Sequence, residues 1–390
     1  MRRALVIMGF CLLSAGMLGA LSEDFVSDFR AADTEEMKLQ IVRLGSEHPV
    51  SELEEFYLHV LDYVISNAGD RITSQVHTDM YSLAMDRLVE AGVNRAALPL
   101  WQVFEMEREV TQRIRLLGAL EQLGAGNQRL YIRLSGWIQA QNNLAISGTS
   151  IERQVLARAV TTATTFDDPV FFSAFLLTVA AKHPDFLDQP ARAAMDAFGD
   201  QQLGLLVDAV AIQELTAQYQ ILQYVDGLES LSVAEKAQVA YSALTAAMGK
   251  QPAGVEAIIM HRNVRYLAAR MLEQAEYTEA SGVMVSHFNL AANDFEQRQI
   301  PIGQILDTID ALAAVGGEPA ARRLIRYLDY LNIQTSSDRP VNPQVMLAVV
   351  NGLGRIGSAE AYNSLFYASM LDYQGFVQDA IQDAMKAVRQ

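Results

Sequence analysis

Helical runs of apolar residues in this chain of 390 residues stop and restart within a few positions. The clearest case involves Met346, Val350 and Leu353, which recur at spacings of four and three and so share one face of a helix. Gly357 suits a left-handed helix end, and Ser358 is placed to accept N–H groups of the next helix. Each such helix buries one stripe, so the chain must stack these helices against one another.

The same interruption recurs along the chain at intervals typical of paired helices. Further breaks are predicted at Gly45, Gly92, Gly124, Asp167, Gly199, Gly249, Tyr277 and Gly316. Their mean interval, counted through to Gly357, is about 39 residues, which is the length of a helix–turn–helix repeat. The sequence therefore predicts an all-α fold, an α-solenoid or superhelix over residues 23–390.

Two parts of the chain also align with each other. Residues 154–198 can be laid on residues 344–388 at an offset of 190 without a gap. In this register Val160 meets Val350, although the identities are few and shared helical patterning is an alternative explanation.

The alignment continues upstream at a slightly different offset. Gly124 meets Gly316 at an offset of 192, and we place the two-residue difference in the predicted loops Asn142–Ser150 and Asn332–Pro343. A length change confined to loops favours duplication over chance. The expected duplicated blocks are residues 110–200 and 302–390.

The stretch LGRIGSAEAYNSL, with Val377 and Ala384 after it, resembles the helix–turn–helix and closing helix of HEAT-like repeats, including their bilin-lyase-type subset. The resemblance covers about Ile302–Gln390 and extends to Val110–Phe198. It implies stacked helix pairs whose inner helices bind other proteins or peptides. Gln378 stands where that family often has a basic residue, so the resemblance carries no ligand over to this chain.

The N-terminal segment, residues 1–22, has the features of an export signal. Arg2 and Arg3 precede an uncharged run, and residues 20–22 form a small-x-small cleavage site before Glu23. This predicts a signal peptide at residues 1–22 and export to the periplasm or the cell envelope. The alternative is an uncleaved membrane anchor, because roughly 19 uncharged residues nearly suffice to span a bilayer.

Composition excludes several classes of function. The single cysteine, Cys11, lies in the N-terminal segment, so disulfides, thiolate catalysis and cysteine-bound zinc are excluded from the chain after it. The formal net charge of −16 disfavours binding to nucleic acid or anionic lipid. The expected partner is a protein or peptide, and a membrane is expected only through an uncleaved N-terminal segment.

No catalytic, cofactor-binding or metal-binding residue is predicted. The six histidines lack the spacing of metal ligands, and glycines fall at helix ends rather than in phosphate-binding loops. Asp167 and Asp168 are better explained by capping, with Pro169 opening the next helix, than by acid–base catalysis. Two aromatic groups are interpreted as core, Phe171, Phe172 and Phe175, and Tyr327 with Tyr330.

One basic group stands out from the acidic background. The candidate partner-binding patch consists of Arg322, Arg323, Arg326 and Arg355. Salt bridges between helices, to acids such as Asp329 and Asp310, are the alternative explanation. A weaker candidate of the same kind is His261, Arg262 and Arg265.

Three functions remain open from the sequence. The leading hypothesis is an exported, non-enzymatic α-solenoid that acts as a protein-binding scaffold or adaptor. The second is an enzyme, or an enzyme accessory, whose site is assembled in the loops Asn142–Ser150 and Asn332–Pro343. The third is a carrier of a small apolar ligand. The oligomeric state is not constrained.

Overall fold

The computed structural model describes residues 21–389 of the chain. This part forms twenty α-helices and short 3-10 turns and contains no β-strand, which confirms the all-α prediction. The predicted signal peptide or anchor lies, up to residue 20, outside the described residues. From residue 21 onward, no helix has both the length and the apolar character needed to cross a membrane.

The described residues up to Phe198 form one compact unit of ten helices. Three 3-10 turns, Val50–Glu52, Asn94–Ala96 and Pro169–Phe171, precede α3, α5 and α9. The helices are α1 (residues 21–31), α2 (Glu35–Gly45), α3 (Glu54–Asn67), α4 (Gln75–Glu90), α5 (Ala97–Met106), α6 (Val110–Leu123), α7 (Gln128–Ile146), α8 (Arg153–Thr164), α9 (Phe172–Ala180) and α10 (Asp185–Asp196).

The residues from Gly199 onward form a second compact unit, also of ten helices in its described part. Its 3-10 turns, Gly199–Gln201, Thr278–Ala280 and Ala359–Ala361, precede α11, α15 and α19. The helices are α11 (Gln202–Ile212), α12 (Leu215–Asp226), α13 (Val233–Met248), α14 (Val255–Gln274), α15 (Ser281–Glu296), α16 (Ile302–Val315), α17 (Gly317–Ser336), α18 (Pro343–Ile356), α19 (Tyr362–Ser369) and α20 (Gly375–Ala387).

Within each unit the helices pack in two alternating rows. In the first unit, α2, α4, α6, α8 and α10 pack side by side in one row, and α3, α5, α7 and α9 form the other. In the second unit, the even-numbered helices from α12 to α20 form one row and the odd-numbered helices from α11 to α19 form the other. The apolar stripes of both rows face inward, so the core lies between them.

The predicted helix ends at the Gly357 turn are confirmed in part. Gly357 has a φ of 70°, and its N–H donates to the carbonyl of Leu353 at 3.0 Å. The prediction for Ser358 is wrong, because its side chain makes no capping hydrogen bond. A 3-10 turn follows at once, so the backbone carbonyl of Ser358 accepts the N–H of Ala361 instead.

Elements near the end of the two units begin at a constant offset. α8 begins at Arg153 and α18 at Pro343, an offset of 190, and the same offset relates the turns at Pro169 and Ala359. It also relates α9 to α19 and α10 to α20. Burial follows the same register: Val155, Leu156, Ala159 and Val160 are buried in α8, and Val345, Met346, Val349 and Val350 in α18.

The two-residue difference in offset does not lie in the predicted loops. α7 ends at Ile146 and α17 at Ser336, already at the offset of 190, and both helices continue well into those loops. The difference lies before them, because residues 124–127 separate α6 from α7 whereas Gly316 alone separates α16 from α17. A turn is a common place for such a length change, since it alters no buried stripe.

Candidate functional site

A cavity of about 520 Å³ lies in the second unit, among α12, α14, α15 and α16. Its walls combine carboxylates, tyrosines and one histidine with apolar side chains. Its polar lining residues include Tyr219, Tyr266, Glu273, His287, Asp307 and Asp310.

Helical spacing brings these side chains to one place. Tyr266 and Glu273 are seven residues apart in α14, which places them on the same face. Asp307 and Asp310 are three residues apart in α16 and therefore adjacent on that helix. Because α14 packs directly on α16, the two faces meet along one wall of the cavity.

Burial and the neighbouring acids of the cavity disfavour ionisation of Glu273 and Asp310. Burial, followed by the charges of Asp310 and Asp307, raises the pKa of Glu273. Burial and the charge of Asp307 raise the pKa of Asp310, against the opposing effect of Arg355. Carboxylates that share a partly dry site favour a bound positive charge, which relieves this repulsion.

The nearby arginines are engaged elsewhere. Arg270, which also lines the cavity, places Nη2 2.6 Å from Oδ2 of Asp226. Arg355 places Nη2 2.6 Å from Oε1 of Glu276. Among the described residues, none of the three cavity acids has an ion-pair partner within 4.0 Å.

His287 lines the same cavity and is fully buried. Neither ring nitrogen has a hydrogen-bond partner in the described part of the chain. The ring meets Tyr266 edge to face, with centroids 5.1 Å apart. Burial lowers the pKa of His287 to about 3, so the imidazole is neutral at pH 7 and keeps one N–H donor and one free lone pair.

A buried ion pair lies beside this histidine. Nη2 of Arg265 is 3.3 Å from Oδ2 of Asp294, and Arg262 contacts the same carboxylate at 3.5 Å. Arg265 is buried, and its charge contributes to the low pKa of His287. His261 is also buried, so the weaker basic surface patch expected at these positions is wrong.

The first unit has an apolar residue where the second has His287. The turns Asn94–Ala96 and Thr278–Ala280 are related by an offset of 184, which places Val103 opposite His287. Both residues are fully buried, so the same position is filled by an apolar side chain in one unit and a polar one in the other.

The charges around the equivalent position of the first unit are also paired differently. There, Asp86 of α4 binds Arg115 of α6 at 3.0 Å. Aligned helix by helix, Arg270 of α14 takes the place of Asp86 and Asp307 of α16 takes the place of Arg115. Since Arg270 binds Asp226 instead, Asp307 is left to the cavity.

No pattern in the sequence predicted this site. The acids and His287 lie far apart along the chain, and no short motif joins them. The usable signal was the alignment of the two halves, extended upstream, which sets a histidine against Val103.

Two of the four predicted patch arginines form ion pairs. Arg322 pairs with Glu318 in its own helix and with Glu360 at 3.4 Å. Arg355 pairs with Glu276. Salt bridging is therefore the observed role of both, although the acids differ from those expected.

The other two patch arginines differ from each other. The guanidinium of Arg323 lies 4.7 Å above the ring of Phe288 and 5.7 Å from that of Tyr327. Arg326 is exposed and has no ion pair within the described residues. The use of these four residues in partner binding stays a prediction.

Other sequence interpretations have direct counterparts in the structure. Oδ1 of Asp168 accepts the N–H of Val170 at 3.0 Å, which confirms its capping role. Phe171, Phe172, Phe175 and Tyr327 are buried as expected, but Tyr330 is 40% exposed. Among residues 21–389, no cluster of histidines and acids is arranged to hold a metal ion.

The sequence matches no protein-family model and no curated protein. The fold is compatible with a helical repeat protein on its own evidence, namely helices packed on their neighbours in two rows.

Proposed function

We propose that this chain is a non-enzymatic binding protein, an exported α-solenoid of HEAT-like repeats that acts as a scaffold or adaptor in the periplasm or cell envelope. Two observations support the architecture. Within each unit the helices from α2 onward pack on the next but one, alternate consecutive helices such as α13 and α14 also pack on each other, as in stacked helix pairs, and many elements recur at a constant offset. The leader-like residues 1–22 support export.

The acidic cavity of the second unit carries the proposal. It places three carboxylates without ion-pair partners, among the described residues, beside a buried histidine that makes no hydrogen bond. A folded protein gains no stability from such a group, so a bound partner is the better explanation for it. The net charge of −16 attracts basic partners and speeds their association.

A carrier of a small ligand is the second candidate. A volume of about 520 Å³ lies within the range of ligand pockets, and the lining favours a polar ligand. A carrier of an apolar ligand would use a different cavity, of about 530 Å³, lined by residues that include Val207, Ala211, Tyr241 and Tyr277.

An enzyme site in the inter-repeat loops has less support. Beneath the first loop, Nε2 of His183 lies 2.8 Å from Oδ1 of Asn142. Beneath the second, the hydroxyl of Tyr373 donates to Oδ1 of Asn332 at 2.9 Å. Each loop thus lies beside a buried amide that is hydrogen-bonded. Among the side chains that the structure describes, the cavity beside the first loop is lined by Arg153, Lys182 and His183 but by no acid that could pair with them in acid–base catalysis.

Site-specific photocrosslinking in cells that export the protein tests the scaffold proposal. A photoreactive residue at Asn263, which lines the cavity, is expected to trap a defined protein partner. The same residue at Asp383, exposed on α20, provides the control and is expected to trap none. Identical adducts from both positions, or no protein adduct from Asn263, would contradict the scaffold role.

A further inference from the structure

His287 requires a particular kind of ligand atom. Its imidazole is neutral, and both nitrogens lie in a fully buried side chain without a partner among the described residues. The unprotonated nitrogen of a neutral imidazole can accept a hydrogen bond from an N–H or O–H group of a ligand. Water held by the histidine alone would gain few hydrogen bonds, because an ordered buried water needs two to four polar partners.

The acids of the cavity require a positive charge on that ligand. Glu273 and Asp310 lie on the packed helices α14 and α16, where burial and then the charges of neighbouring cavity acids raise the pKa of both. The arginines closest to them already bind Asp226 and Glu276. A cation inside the cavity would therefore be neutralised by groups that the protein itself leaves unpaired.

The aromatic lining narrows the class of cation. Tyr219 and Tyr266 both line the cavity, and aromatic rings attract organic cations through their π faces. No group of acids and histidines in the described chain has the arrangement of a metal site. An organic ammonium group also carries N–H groups that can donate to the free lone pair of His287.

We propose that this cavity binds a primary ammonium group, in which His287 accepts one N–H and Glu273, Asp307 and Asp310 neutralise the charge. The proposal deepens the binding function proposed above and rests on it. The ammonium group comes from a free diamine or from a lysine side chain of a bound peptide, and both present the same chemistry to these residues.

The difference between the two units supports the assignment. A purely structural role does not require a histidine at this place, since Val103 fills the equivalent buried position in the first unit. The equivalent of Asp307, Arg115, is paired with Asp86 there. The second unit therefore lacks both the apolar residue and the ion pair in the same cavity.

Isothermal titration calorimetry of the purified chain tests the proposal. The probes are 1,4-diaminobutane and the peptide acetyl-Gly-Lys-Gly-amide, at pH 7.5 and about 0.15 M salt. At least one probe is expected to bind saturably with one site per chain. Tighter binding of the diamine indicates a free amine, and tighter binding of the peptide indicates a lysine side chain.

Three variants identify the site, and one provides a control. His287→Val, Glu273→Gln and Asp310→Asn are each expected to weaken binding at least tenfold. Asp383→Asn removes the same charge from exposed α20 and is expected to leave the affinity within twofold. Thermal unfolding of each variant, measured in parallel, verifies that it folds; valine is tolerated at the equivalent position of the first unit.

Three results would overturn the proposal. The first is the absence of saturable binding for both probes. The second is equal weakening by Asp310→Asn and Asp383→Asn, which would indicate only the general charge of the protein. The third is binding of Ca²⁺ in place of both amines. The crosslinking result at Asn263 is independent of these outcomes, so a scaffold that uses another chemistry would still be recognised.

Discussion

At the scale of single residues, His287 is the feature that packing alone does not explain. A buried polar group without a hydrogen bond destabilises a fold by about 1–3 kcal/mol. Protonation does not relieve this penalty. Burial and then the positive charge of the neighbouring Arg265 disfavour the imidazolium and lower the pKa of His287. His287 lines the cavity, so a ligand bound there could supply the missing hydrogen bond.

Replacement of His287 by valine is expected to stabilise the ligand-free protein by about 1 kcal/mol, because it removes the unsatisfied ring nitrogens. Urea unfolding followed by circular dichroism measures this change. The converse change Val103→His in the first unit is expected to destabilise by about 2 kcal/mol. A loss of stability in His287→Val would show that the histidine already has a hydrogen-bond partner.

Acid is expected to destabilise the protein through the same residue. Between pH 6.5 and about 3 the unfolded chain binds a proton at His287 that the folded chain does not, so stability falls as the pH falls through this range. The loss approaches about 1.4 kcal/mol per pH unit. His59, His183 and His261 act in the same direction, since burial lowers their pKa values.

Glu273 and Asp310 act in the opposite direction, since their raised pKa values let the folded state bind protons first. The difference between wild type and His287→Val therefore isolates the histidine. In urea unfolding at several pH values from 7 to 4, the free energy of unfolding of His287→Val is expected to fall less steeply with falling pH than that of the wild type. Parallel curves for the two proteins would contradict the low pKa of His287.

Arg323 and Arg326 offer a test of packing against exposure within one helix. Arg323 is half-buried over Phe288 and Tyr327, so Arg323→Ala is expected to cost about 1–2 kcal/mol of folding stability. Arg326→Ala should change stability by less than about 0.5 kcal/mol, because its side chain is exposed. Equal effects in urea unfolding would mean that the stacking of Arg323 contributes nothing.

At the scale of helices, the turns show how one backbone conformation is reached by different residues. Gly357 and Asp167 occupy equivalent positions, and both have positive φ, 70° and 46°. Glycine adopts this region without strain, whereas other residues meet a clash of Cβ with the backbone. The two units thus differ in strain at the same helix end.

Substitutions at Gly357 and Asp167 are expected to change folding stability in opposite directions. Gly357→Ala should destabilise by about 1 kcal/mol, and the cause is backbone conformation, because no atom outside the adjacent residues of the chain lies within 4 Å of the added Cβ. Asp167→Gly should stabilise by about 0.5 kcal/mol, as relief of strain exceeds the added entropy of the unfolded chain. Thermal unfolding of both variants measures this, and changes of the same sign would contradict the equivalence.

At the scale of the molecule, the net charge of −16 and the unpaired acids of the cavity act on the same partner. Salt screens long-range attraction between exposed charges, with a Debye length of about 10 Å at 0.1 M and about 3 Å at 1 M. The charge of the whole chain therefore affects mainly the association rate of a basic partner, and the contacts in the cavity affect mainly its dissociation rate.

Higher salt is consequently expected to slow the association of a lysine-containing peptide more than it speeds its dissociation. Stopped-flow measurements at about 0.05 M and about 0.5 M salt separate the two rates. A peptide in which glutamine replaces the lysine is the matched control and is expected to show no saturable binding. Salt-independent association would contradict electrostatic steering.

Much of the architecture followed from local patterns in the sequence. The spacing of Met346, Val350 and Leu353 predicted a helix and its buried face, and both are observed. The left-handed end at Gly357 was equally predictable, because backbone conformation at such a turn depends on a few adjacent residues. Even the register of the repeated elements was visible as an offset of 190.

Contacts between distant residues were not predictable in the same way. Whether Arg323 stacks on Phe288 or faces a partner depends on how α15 lies against α17, and the pairing of Arg270 with Asp226 depends on α12. The cavity was missed for the same reason: hydrophobic periodicity reports which face of a helix is buried, but burial of His287 beside Glu273 and Asp310 arises only when three helices meet.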